Sequence, residues 1–222
     1  MKQTKLTDIY RLLLDLYGNR GWWPGENQDE IAIGAILAQS VAWKNVEKAL
    51  RNLKQRGVCS LAKLVELEQD ELAALIVSTL YYNQKAERLQ RFARYFQAEA
   101  GSDFARLFGG EIDGLRSRLL SLKGLGPETV DSLLLYAGDR LVFVVDAYTR
   151  RLLYRLGFTA EKASYDELQD YICRRIPRDL ALYKDFHAQI VCLCKDICKA
   201  KPRCGDCPLR EVCQTARSGS VD

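Results

Sequence analysis

The run DGLRSRLLSLKGLGPETVDSLLLYAG, residues 113–138, decides the reading of the fold. Its first apolar-periodic segment predicts a helix that ends near Ser121, and Pro127 suits the first position of a second helix. Between them Leu122-Lys123-Gly124-Leu125-Gly126 is short enough for a tight turn. Two glycines around an apolar Leu125 let the backbone come close to another surface and leave amide N–H groups outward. Amides at a helix N-terminus form a natural phosphate site. A plain αα-corner closed by a glycine turn accounts for the same letters.

Outward from this hairpin the pattern stays helical. Apolar residues recur at three- and four-residue spacing over Leu6–Leu16, Ile31–Leu53, Lys85–Phe96 and Asp166–Ile176. Breakers fall at Gly18–Gly25, Arg56–Gly57, Gly101–Ser102, Gly109–Gly110 and Gly124–Pro127. The one β-like run, Leu141–Val145, has no visible partner strand and reads as an extended link. The expectation is an all-α protein of about ten helices, with a frayed tail over 218–222.

The chain has 222 residues, 48% of them hydrophobic and 28% charged, which excludes disordered, collagen-like and disulfide-miniprotein classes. No apolar run is long enough to span a bilayer, and the first 18 residues read as an amphipathic helix rather than a signal peptide, so the expected location is cytoplasmic. The net charge of +4 lies wholly between Arg174 and Asp222, and suggests an anionic partner for that end. Six of the eight cysteines (Cys192, Cys194, Cys198, Cys204, Cys207 and Cys213) crowd into the same region. In a reducing compartment such crowding points to metal. Cys59 and Cys173 read as small buried hydrophobes.

The hairpin has the pattern of a helix–hairpin–helix, which holds DNA backbone without reading sequence. After its second helix comes Leu141-Val142-Phe143-Val144-Val145-Asp146-Ala147-Tyr148-Thr149-Arg150-Arg151. Together these resemble the helix–hairpin–helix DNA glycosylases of the endonuclease III superfamily. Ala35-Ile36-Leu37-Ala38-Gln39-Ser40 is similar to that family's second-helix motif, and Tyr82-Asn83-Gln84-Lys85-Ala86 to its Tyr-Asn-x-Lys-Ala element. Gly21-Trp22-Trp23-Pro24-Gly25 and Ala42-Trp43-Lys44-Asn45-Val46 resemble the branch that includes 3-methyladenine DNA glycosylase III.

The resemblance implies two helical lobes, a helical barrel domain over 27–141 and an iron–sulfur domain of 1–26 with 142–222. DNA lies across the cleft, with Asp146 at the seam. It also implies a monomer acting on double-stranded DNA that contains a damaged base. Asp146 maps onto the catalytic carboxylate, which stabilises the sugar cation formed as the N-glycosidic bond breaks or activates the attacking water. Asp146 equally suits the N-cap of the following helix, and the two roles are compatible.

Bifunctional relatives carry a nucleophilic Lys after the hairpin glycines, where this chain has Glu128 in Gly124-Leu125-Gly126-Pro127-Glu128-Thr129. A carboxylate forms no Schiff base, so the expected enzyme removes an alkylated purine such as 3-methyladenine and leaves the strand intact, the alternatives being an endonuclease III-like glycosylase and lyase for damaged pyrimidines or a non-catalytic iron–sulfur DNA-binding module. The resemblance assigns Trp22, Trp23, Pro24 and Trp43, with Glu128, to the base pocket; packing roles suit Trp22 and Trp23 as well. It assigns Gln39 and Tyr81 to the vacancy left in the duplex, although Gln39 also suits a helix-end hydrogen bond. Lys123, Gly124 and Gly126 are expected at DNA phosphates.

Cys198-x5-Cys204-x2-Cys207-x5-Cys213 resembles the family's four-cysteine [4Fe–4S] loop, with a first gap one residue shorter than usual. Cys194 competes for the first position, and four thiolates also suit zinc. Lys199, Lys201 and Arg203 in the first gap are expected to bind phosphate. His187, the sole histidine, reads as a packed or hydrogen-bonded helix residue.

Overall fold

A computed structural model describes residues 5–219. All regular structure among them is helical, with no strand. Met1–Thr4 and Ser220–Asp222, the end of the tail expected to fray, lie outside the described residues. The chain divides into two compact units, Pro24–Arg140 and Met1–Trp23 with Leu141–Asp222.

In the unit of Pro24–Arg140 the central element is α2 (Gln28–Leu37), capped by the Asn27 side chain. Ala32, Ile33, Ala35, Ile36 and Leu37 are all buried, so this helix is apolar on every side, as a helix enclosed by others must be. α3 (Trp43–Arg56) and α6 (Tyr82–Ala100) pack against it, and α4 (Leu61–Glu66), α5 (Gln69–Leu75) and the short α7 (Phe104–Leu107) pack against α6. The hairpin follows as α8 (Ile112–Leu120) and α9 (Pro127–Ser132), and α9 widens into a π turn over Leu133–Ala137.

The other unit joins α1 (Leu6–Tyr17) to α10 (Ala147–Leu156), α11 (Tyr165–Cys173), α12 (Leu180–Asp196) and α13 (Gln214–Ser218). α1 buries Leu6, Ile9 and Leu13 along one stripe and packs on α12, where the Tyr10 hydroxyl donates to Asp185 at 3.0 Å. The extended link is buried at Phe143, Val144 and Val145. α11 side chains take part of the place of a strand partner: Gln169 donates to the Phe143 carbonyl, and the Val145 N–H donates to the Tyr165 hydroxyl.

Two expectations change in detail. The periodicity over 31–53 belongs to two helices, α2 and α3, separated at Ala38–Ala42. No glycine or proline marks that break; Ser40 makes it by adopting φ 56°. There are thirteen α-helices among the described residues, more than the ten or so expected, because α4, α5, α7 and α13 are each under two full turns.

Candidate active site

Asp146 ends the extended link and caps α10, its Oδ1 accepting from the Thr149 N–H at 2.7 Å. Its carboxylate is only 12% exposed, and Oδ2 lies 3.7 Å from Nε2 of His187 on α12. Burial opposes ionisation there. His187 and Thr149 outweigh it, and hold the Asp146 carboxyl below its ordinary value. The acid is therefore an anion at neutral pH, fixed by a helix end on one side and an imidazole on the other.

His187 is 4% exposed and meets the Phe143 ring edge-on. Sequence alone gives it no role beyond packing, yet it is the titratable side chain that faces Asp146. A signal is present: within the apolar run Phe186–Val191 only His187 and Gln189 are polar, and the middle of α12 is buried all round.

α10 links this acid to the cysteine loop. Arg151 donates to the carbonyls of Cys194 and Cys198, and Arg155 to those of Cys198, Lys199 and Ala200. Arg155 also lies 3.2 Å from the Cys198 sulfur. Cys198, Cys204, Cys207 and Cys213 line one small cavity, closed by Leu152, Leu156, Ile197 and Leu209, whereas Cys192 and Cys194 do not line it. The Cys194 thiol instead lies 3.6 Å from the Tyr148 carbonyl. Cys194 and the nearby arginines prevail over burial and hold the Cys198 thiol below its ordinary value, whereas burial pushes Cys207 up to about 11. Four sulfur donors around one apolar cavity fit an iron–sulfur cluster in chemistry, although no three metal-binding side chains among the described residues already converge on one point.

Of the three cations in the cysteine loop, Lys199 and Lys201 project into solvent. Arg203 is paired, at 3.2 Å from Asp196 and 3.6 Å from Asp206. In the same unit Trp22 and Trp23 meet edge to face, and the Lys195 ammonium sits 5.8 Å from the Trp22 ring centre.

In the unit of Pro24–Arg140 the hairpin turn is exposed except for the half-buried Leu122 and for Leu125, which is buried as its apolar character requires. Gly124 has φ +95°, and a Cβ there would stand 2.6 Å from Arg88 Nε, so only glycine fits without displacing that side chain. Gln39 clasps the turn: its Nε2 donates to the Gly124 carbonyl at 3.1 Å and to Thr129 Oγ1 at 2.8 Å. Its Oε1 accepts from Arg88. Arg91 donates to the Lys123 carbonyl at 2.6 Å, leaving the Lys123 side chain exposed. Glu128 is exposed in the first turn of α9, and Gly126 caps that helix.

Pro24 and Trp43 share the lining of an open cavity of about 520 Å³ with Glu26, Glu30, Glu47, Arg51 and Lys54. Tyr81 is 66% exposed, on a ridge with Val77, Leu80 and Tyr82.

A family model described as the HhH-GPD superfamily of base excision DNA repair proteins matches residues 33–178. MJ1434 of Methanocaldococcus jannaschii, provisionally named a DNA repair glycosylase, is 43% identical over 218 residues, covering 96% of this chain and 99% of that protein. The crystal structure of H. pylori 3-methyladenine DNA glycosylase (MagIII) bound to 1,N6-ethenoadenine matches with a TM-score of 0.77 at 30% identity, covering 86% of this chain and 98% of that one. A trapped endonuclease III–DNA covalent intermediate matches in fold, with a TM-score of 0.82 at 21% identity over 98% of this chain and 99% of that one.

Proposed function

We propose that this chain, which belongs to the HhH-GPD superfamily of base excision DNA repair proteins, is a monofunctional DNA glycosylase for alkylated purines. The observation that carries the reading is Asp146, a nearly buried carboxylate kept ionised by Thr149 and His187. As the N-glycosidic bond lengthens, positive charge grows on the sugar. A fixed anion in a water-poor site stabilises that charge without having to reorganise. The same carboxylate can accept a proton from the water that replaces the base.

Glu128 in the first turn of α9 supports the monofunctional assignment, because the position after the hairpin glycines then offers no amine to attack the sugar. Lys85, whose amine burial lowers to about 8, is 1% exposed and bonded to two carbonyls, so it is out of reach of a sugar. Support for alkylated purines comes from Pro24 and Trp43, which line one open cavity. An aromatic side chain favours an electron-poor, cationic ring. The likeness to MagIII, itself bound to a modified adenine, points the same way.

The hairpin and the cysteine loop supply the backbone grip on double-stranded DNA. Cys198, Cys204, Cys207 and Cys213 would hold a [4Fe–4S] cluster, whose contribution is to cross-link the loop that presents Lys199 and Lys201. Purified protein is expected to be brown, with broad visible absorption; a colourless protein with stoichiometric zinc contradicts the cluster. Replacing Lys199 or Lys201 with Ala is expected to weaken binding to every sequence alike and to lower the salt slope by about one unit each. Arg203→Ala is expected to change the slope less, since its charge is already paired. Fluorescence anisotropy over a salt series measures all three.

A panel of lesion duplexes, each treated with and without hot alkali, tests the function. The expected result is release of alkylated purines, with strand breaks only after alkali. Release confined to damaged pyrimidines, with breaks before alkali, would replace this reading with an endonuclease III-like glycosylase and lyase using an exposed amine such as Lys195.

A further inference from the structure

Lys85 is 1% exposed, among the largest fully buried side chains of the protein, and forms no ion pair with a described carboxylate. A buried ammonium is unfavourable unless its donors are satisfied. Nζ donates to the Leu37 carbonyl at 2.8 Å and to the Thr79 carbonyl at 2.5 Å. Leu37 is the last residue of α2, and Thr79 the last of the 3-10 turn Val77–Thr79. Both carbonyls are thus helix-end acceptors with no onward helical donor, at the negative pole of their elements. Burial, with Arg88 as a second cause, lowers Lys85 only to about 8, so the cation persists at neutral pH.

Beyond each carbonyl the backbone is unusual. After Leu37 the chain runs through Gln39 to Ser40 at φ 56°; after Thr79 it runs through Leu80 at φ 55° and Tyr81 at φ 47°. Three non-glycine residues in the left-handed region therefore come soon after the two points that Lys85 holds. Strained backbone of this kind persists only where the surroundings fix it, and it gathers at functional segments. Leu80 and Tyr81 are also 56% and 66% exposed, an apolar ridge with no covering side chain to hold it from above. One turn further along α6 Arg88 bonds Gln39, and a turn beyond that Arg91 bonds the hairpin carbonyl of Lys123. Residues 85, 88 and 91 thus lie on one stripe of one helix and bind three separate segments through carbonyl or amide oxygens.

We propose that Lys85 is a positioning residue for base extrusion, holding the Leu80–Tyr81 ridge in the register needed to enter a duplex and replace the departing base, while the Gln39–Ser40 turn at its other acceptor stays clasped to the hairpin. It never touches DNA; it acts through the backbone of the ridge. The inference rests on the reading of this chain as a glycosylase that extrudes its target, and it adds the element that sets the ridge's register.

An apolar side chain of similar length, Lys85→Met, removes the cation and keeps the stem. Single-turnover base release is measured on two substrates carrying the same alkylated purine: a fully paired duplex, and a strand in which the purine sits in an unpaired bulge. Extrusion from a bulge needs little unstacking. Wild-type release from both substrates establishes the glycosylase reading independently. Lys85→Met is expected to lose about tenfold or more on the duplex and to stay within about threefold of wild type on the bulge. Lys85→Gln, whose amide retains two N–H donors, is expected to recover part of the duplex loss. Equal losses on both substrates, or no loss on the duplex, overturn the proposal. So does failure of both variants to melt cooperatively, since Lys85 then serves the fold as a whole.

Discussion

Asp146→Asn is expected to slow base release by about a hundredfold to ten-thousandfold, the range for removing a group that acts on the transition state. The substitution is nearly isosteric. Asn is as good an N-cap as Asp, so the bond from the Thr149 N–H at 2.7 Å has an acceptor in the variant too. What disappears is the negative charge, and with it about 0.3–1 kcal/mol of charge–dipole interaction at the start of α10. The melting temperature should therefore move by only a few degrees and DNA affinity very little. Rate and stability are separable in this variant, which is why Asn is more informative than Ala.

The sign of the pH dependence comes from the same geometry. Asp146 is held below its ordinary value, so its stabilising charge is fully present above about pH 4 and is lost only as the pH falls through the lower folded value. Protonation of Asp146 therefore adds no acid limb to the rate between pH 5 and 8.

The largest effect on stability is expected at Asp131. This residue is 0% exposed at its side chain, and both oxygens receive Arg116, at 2.7 and 3.1 Å. The pair ties α8 to α9, the two helices of the hairpin. Removing one partner of a buried ion pair destabilises by about 3–5 kcal/mol. Arg116 keeps 21% of its side chain exposed, which places Asp131→Ala near the lower end of that range. For a chain of this size about 3 kcal/mol corresponds to a fall of roughly 6–12 °C in melting temperature, readable by calorimetry or circular dichroism. A fall of less than about 2 °C would show that the hairpin is held mainly by Leu125 and the Gln39–Arg88 clasp.

Much of this architecture is legible in the letters because it depends on local chemistry. Gly124, Gly126 and Pro127 specify a turn and a helix start with little help from the rest of the chain, and Asp146 before Ala147–Leu156 is a strong cap by itself. The break between α2 and α3 is not legible. It has no glycine or proline, and its geometry comes from Ser40 at φ 56° and from the Leu37 carbonyl bound by Lys85, a contact 48 residues away in sequence. His187 is only partly marked: its place in the apolar run Phe186–Val191 points to burial, but its proximity to Asp146 arises from packing between α12 and α10. Nothing in the sequence marks Arg88, Arg91, Arg151 and Arg155 either, yet all four bind carbonyl or amide oxygens of their own unit.

The most direct test is a single-turnover assay on one alkylated-purine duplex, with wild type and Asp146→Asn side by side. Free base and strand integrity are followed before and after hot alkali, with borohydride present in a parallel arm. Wild type should release the base, leave the strand whole until alkali is added and form no trapped adduct, while the Asn variant should release almost nothing in the same time. Undiminished base release by the Asn variant would remove Asp146 from the chemistry, and an efficient borohydride adduct with wild type would contradict the monofunctional assignment.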